Sequence, residues 1–211
     1  MAASRRYLLK ATAGLAAAGL TTRTALAEFD RYVLDEGRGA FAWFESRSGK
    51  KRTWTAVLIS RSGGSGPDDD LFKPVVLLWT TSFNAKKGKV QRVAFGYADD
   101  GRCRVSATTD FATGSVDGTI RVWDAVKDEM QTLTLDISWT ENGSERSLDF
   151  DETYSPDPDP AYSARFQVRG DQRPAKAEGE VLRGNTNLIP KTSKQGFIGY
   201  FDSARVTFTY P

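Results

Sequence analysis

Between residues 132 and 139 the chain alternates strictly. Leu133, Leu135, Ile137 and Trp139 fall on one face, and Thr132, Thr134, Asp136 and Ser138 on the other. A period of two with one apolar face is the pattern of a half-buried antiparallel strand. The same period recurs where Val116, Gly118, Ile120 and Val122 alternate with Ser115, Asp117, Thr119 and Arg121. It recurs again over 162–169, where Tyr162, Ala164, Phe166 and Val168 share a face, and near the end with Val206, Phe208 and Tyr210. No segment shows the 3.6-residue period of an amphipathic helix.

Two segments break the alternation. Val75, Leu77 and Trp79 oppose Val76 and Leu78 within 73–83, and 40–44 is likewise apolar on both faces. Strands of this kind are covered on both sides. Further strands are expected over 53–60, 89–97, 102–108, 146–150 and 175–182, which makes about ten or eleven in all. Turn signals stand between them at Asp100 and Gly101, Asn142 and Gly143, Lys87 and Gly88, and Ser48 and Gly49. The sequence predicts one all-β antiparallel domain over 28–211, a β-sandwich or jelly roll, with an up-and-down β-barrel as the alternative. A barrel would direct function toward a small lipophilic ligand in its lumen. Two longer connections, 62–70 and 155–160, are rich in Gly, Pro and Asp and read as surface loops.

Residues 1–27 form a different kind of segment. Ser4, Arg5 and Arg6 are followed by Tyr7, Leu8, Leu9 and Lys10, then by an apolar run from Ala11 to Leu20 and an A-x-A site at Ala25, Leu26 and Ala27. This start resembles the twin-arginine export signals of bacteria, in which a Ser-Arg-Arg-x-Phe-Leu-Lys pattern occurs; here Leu8 replaces the phenylalanine. The resemblance implies cleavage before Glu28 and a secreted or periplasmic destination. The basic balance of the full chain, 29 Lys and Arg against 27 Asp and Glu, owes four cations to this leader. Without Arg5, Arg6, Lys10 and Arg23, 25 cations face 27 acids, a formal charge of −2. Such a chain has no broad electrostatic attraction for nucleic acid. No apolar run after the leader is long enough to form a transmembrane segment.

The chain contains no histidine and one cysteine, Cys103. Ser-His-Asp and Cys-His nucleophile systems are thereby excluded, as are the usual imidazole-bound transition metals. Oxygen-ligating calcium is the metal the inventory permits, with Asp68, Asp69 and Asp70 in one loop and Asp157 and Asp159 in the other as candidate ligands; a solvated charge run is the alternative for both. Trp123 shares parity with Asp117 and Arg121 on a polar face. An indole flanked by hydrogen-bonding side chains can stack against a sugar ring, so these three residues are candidate glycan contacts. Asp149 with Asp151, and Glu178 with Glu180, share parity as carboxylate pairs of the type glycoside hydrolysis requires, without a signature strand around them.

Leu133, Ile137, Trp139 and Thr140, then Arg173, Ala175, Ala177, Gly179 and Val181, then Asn187, Leu188, Ile189 and Pro190, follow one another with a distinctive cadence. This part of the chain, about the last 80 residues, resembles a loose group of uncharacterised secreted bacterial β-rich proteins. In that group a Val-Thr-Trp-Thr strand precedes an Arg-x-Ala-x-Ala-x-Gly-x-Val strand. The resemblance implies strands and carries no activity or ligand. The function expected is non-catalytic binding of a surface glycan or other envelope component outside the cell; the alternative is a carboxylate-based enzyme acting on carbohydrate or a small cyclic substrate. Calcium is tested by thermal melts in millimolar calcium and in EGTA. Occupancy at a hundred times Kd adds about 2.7 kcal/mol, on the order of 5–10 °C in Tm for a domain of this size. Asp69→Asn or Asp157→Asn abolishes that shift if its loop holds the ion, and identical melts make both loops solvated.

Overall fold

The computed structural model describes residues 31–34, 37–62, 74–98, 101–155 and 162–210. Among them the chain is all-β and antiparallel, without a helix. Thirteen strands follow in order: β1 (Arg31–Leu34), β2 (Gly37–Ser48), β3 (Lys51–Ser62), β4 (Val75–Asn84), β5 (Val90–Ala98), β6 (Cys103–Ala107), β7 (Thr113–Asp124), β8 (Glu129–Glu141), β9 (Arg146–Tyr154), β10 (Ser163–Arg183), β11 (Thr186–Asn187), β12 (Gln195–Phe201) and β13 (Ser203–Thr209). The expected set of ten or eleven lacked β1, β11 and β12 and divided β10 into two strands. β1 and β2 lie in line along β13 and β12, and β9 and β8 lie in line along β10.

Hydrogen bonding closes a ring in meander order: β2, β3, β4, β5, β7, β8, β10, β12 and back to β2. Two seams are short. β5 meets β7 only at Ala94↔Asp124 and Phe95↔Trp123, and β10 meets β12 from Gln172 to Pro174. The first part of β10 leaves the ring, pairing with β13 on one edge and β9 on the other, and with β1 beyond β13 it forms an outer layer. The sheet therefore combines the packed layers of a sandwich with the closed pairing of a barrel.

The two-sided apolar strands are explained by this arrangement. Ala42, Val57, Leu78 and Ala94 face the ring interior with Ile120, Leu135, Ile137 and Val181. Their chain neighbours Phe41, Leu58, Trp79 and Phe95 face the outer layer and meet Phe166, Val206 and Phe208. This outer contact is largely aromatic: Phe41 meets Phe166 edge-on at 5.6 Å, Phe95 stacks on Phe208 at 4.5 Å and Trp43 on Tyr154 at 3.9 Å between ring centroids. Such pairs contribute about 0.5–1.5 kcal/mol each beyond area burial.

The ring interior is filled. Beside Ala42, Ile59, Ile137 and Trp139 the open space is about 10 Å³, no more than one water molecule. Toward the β2–β3 turn the inward positions become polar. Thr53 pairs with Ser82 and Thr55 with Thr80, hydroxyl to hydroxyl at 3.0 Å, all four buried. Buried hydroxyls satisfied in pairs cost little, whereas single ones are expensive.

Gly170 allows β10 to pass from β13 to β12. Its φ is +149°, and a Cβ there would run into the carbonyl oxygen of Tyr200. We expect Gly170→Ala to destabilise the fold by roughly 1–3 kcal/mol, read as a lower urea midpoint. Gly184 has φ +55° with open space around it, and Gly184→Asn should change stability by less than about 0.5 kcal/mol in the same titration.

Candidate functional site

A cleft of about 250 Å³ opens where the outer layer separates from the ring, lined by Arg146 and Leu148 of β9, Gln172 and Pro174 of β10, and Lys194 and Phe197 at β12. Its position follows from β10. The even-numbered residues Ala164, Phe166 and Val168 are buried against the ring's outer face, and Gln172 continues that row into the rim of the same layer.

Gln172 is 1% exposed, and neither its amide nitrogen nor its amide oxygen has a hydrogen-bond partner among the described residues. A buried primary amide can donate two hydrogen bonds and accept two. Leaving it unsatisfied costs about 1–3 kcal/mol. The chain tolerates that cost beside a cleft large enough for a small polar group.

The cations around the amide are held differently. Arg173, also part of the cleft lining, is anchored by two carboxylates, donating from Nη1 to Glu141 at 2.6 Å and from Nη2 to Asp110 at 3.1 Å; its buried Nε has no partner. Asp110 accepts the backbone N–H of Ala112 and pairs with Arg173. Those two contacts and the Thr108 hydroxyl, the backbone bond weighing most, hold its carboxyl down at about 2. Lys194 is bonded to Glu45 at 2.8 Å. That contact is the largest cause of Glu45's lowered pKa, with Arg47 adding to it against the opposing effect of burial. Arg146 is exposed and makes no ion pair with a described residue. The cleft lining thus carries three cations and no acid, the balancing carboxylates standing behind it.

The residues singled out in the sequence lie elsewhere. Asp117 sits on the open face of β7, bonded to Arg104 at 2.7 Å, and Arg121 is exposed on the same face. Trp123 does not join them. Where β7 pairs with β5, the indole enters the aromatic layer edge-on to Phe95 and Tyr210, and its N–H donates to Asp128 at 3.2 Å. At 7% exposure it offers no face to a sugar ring. Asp68, Asp69, Asp70, Asp157 and Asp159 lie outside the described residues, and among the described residues no group of three or more His, Cys, Asp or Glu side chains converges to hold a metal ion. The carboxylate pairs are spread over exposed strands: Asp149 pairs with Arg169 and Asp151 with Arg165, and Glu178 pairs with Lys176. Arg165 and Lys176 lower the pKa of Asp151 and Glu178 respectively.

No family model matches the chain, and no curated protein matches it. Among solved structures, a crystal structure described as a "putative AttH" from Nitrosomonas europaea aligns over 87% of this chain and 53% of its own, with 16% identity and a TM-score of 0.33. The present chain spans about half the length of that protein.

The Arg173 anchor gives a pH test. Because the folded pKa of Asp110 lies below its ordinary value of 3.8, its contribution to stability is complete above about pH 5 and is lost as pH falls toward 2. Asp110→Asn should lower Tm at pH 6, and the gap from wild type should close by pH 2.

Proposed function

We propose that this protein works outside the cytoplasm as a non-catalytic binding protein, taking a hydroxyl-rich group of a surface glycan into the cleft between β9, β10 and β12. The observation that carries the reading is the Gln172 amide, buried and unpartnered on both atoms at the floor of that cleft. Sugar hydroxyls both donate and accept, so one ring edge can satisfy an amide completely. Phe197 and Pro174 supply apolar surface beside it. Arg146 and Lys194 favour an acidic sugar, since a guanidinium pairs with a carboxylate through two parallel bonds. The leader motif supports export, and the resemblance of the C-terminal part to secreted β-rich proteins agrees with it. Binding is favoured over catalysis because a general acid needs a raised carboxyl pKa, while Asp151 and Glu178 are held in the opposite direction.

Affinity electrophoresis against acidic and neutral polysaccharides tests this reading. Wild type should be retarded by an acidic polysaccharide, and Gln172→Met should lose at least tenfold in affinity. The same substitution removes an unsatisfied amide, so stability should stay equal or rise by up to about 2 kcal/mol. A site kept only for folding would show the reverse pattern. No retardation by any polysaccharide removes the proposal.

A further inference from the structure

The polar end of the ring carries a second concentration of charge. Lys51 of β3, Arg92 of β5 and Arg183 of β10 occupy inward parities, in line with Thr53, Ala94 and Val181. They stand where the β2–β3, β4–β5 and β7–β8 turns and the end of β10 come together. One buried carboxylate faces them, and Glu129 acts on Arg92 from the exposed side. Asp124 is fully buried, and its bonds are already taken: Oδ1 accepts the N–H groups of Val126 and Lys127, and Oδ2 accepts Gln131 at 3.2 Å and Arg92 at 3.1 Å. Arg92 also donates to the Gln131 side-chain oxygen at 2.7 Å.

Lys51 and Arg183 are half-buried, and neither side chain makes a hydrogen bond or ion pair with a described residue. Burial lowers the pKa of both. Arg92 lowers it further in both, Arg183 also acts on Lys51, and Asp124 alone opposes the effect at Arg183. Glu129, which also acts on Arg92, is balanced by Lys127, so Lys51, Arg92 and Arg183 against Asp124 leave a local excess of two positive charges. Around them Lys50, Lys86, Lys87 and Lys89 add a basic rim, while Glu129 is engaged by Lys127 and Gln131. Like charges held together and partly out of water are unfavourable until an anion neutralises them.

We propose that this end of the ring is an oxyanion site, in which Lys51 and Arg183, backed by Arg92, take a doubly charged phosphoryl group. A phosphate dianion matches the excess of two charges. Arg183 offers a fork of donors to its oxygens, and Lys51 a compact charge. The site lies apart from the β9–β10–β12 cleft and does not depend on that reading. Its phosphoryl group could come from a small soluble ester or from an anionic phospholipid headgroup.

Calorimetric titration of the full chain with inorganic phosphate at low ionic strength, with chloride as control, measures the site directly. Wild type should bind phosphate and gain Tm with it. Lys51→Met and Arg183→Met, whose stems keep the packing, should each weaken binding at least tenfold without lowering Tm. Sedimentation with phosphatidylglycerol and phosphatidylcholine vesicles separates the sources. Retention on the anionic vesicles that free phosphate competes away supports the site and assigns it to a headgroup. Phosphate binding without vesicle retention supports it and assigns a soluble ester. A wild-type chain that neither binds phosphate nor gains Tm, or phosphate binding unchanged in the double variant, overturns the proposal.

Discussion

Along one edge β10 hydrogen-bonds to β9 and then to β8, and along the other to β13 and then to β12. A 21-residue strand is about four times the common strand length, and it can be this long only because two different layers cover its two halves. The even-numbered side chains are buried in the first half, against the outside of the ring. The odd-numbered ones are buried in the second half, within it. The backbone does not change register; the covering layer changes sides. The crossing at Gly170 to Pro174 is where neither layer fully encloses the strand, and the cleft with Gln172 lies there.

The same geometry accounts for the density of the central strands. β2 to β5 are sealed by the ring interior on one face and by the aromatic outer layer on the other, so almost every side chain in them is apolar or paired. Both proposed sites lie where this double cover runs out. One is the rim of the outer layer. The other is the end of the ring, where inward positions pass from aliphatic to hydroxyl to cationic within a few residues of β3: Val57, Thr55, Thr53, Lys51.

Much of this was legible in the sequence. The two-sided runs around Ala42 and Leu77 mark the central sheet, and the one-sided alternation around Ile137 marks a strand bounding the ring. β10 was legible only as two strands, because an alternation that changes from even-in to odd-in looks like an interruption, and Gly170, Asp171 and Pro174 strengthen that impression. Gln172 was missed for the same reason. The signal available was the row Ala164, Phe166 and Val168, which reaches Gln172 when extended by two more places. Trp123 misled because parity locates a side chain on a face but not what covers that face. Arg146 meets Lys194 at the cleft, and Lys51 meets Arg183 at the end of the ring, each from segments distant in sequence, and no spacing along the chain announces either pair.

The ring closes between β2 and β12, whose paired residues stand about 150 positions apart, as Ala42 and Gly196 do. Until that last seam forms, the edge of β2 presents unpaired backbone next to Phe41 and Trp43, the kind of strand edge that pairs with other chains. Local hairpins along the meander can assemble early, but the closing contact waits on a long loop and pays its entropy. A ribosome-bound chain that has not yet emitted residues 195–201 therefore holds an open sheet, and its safe folding rests on how quickly the final two strands follow the rest.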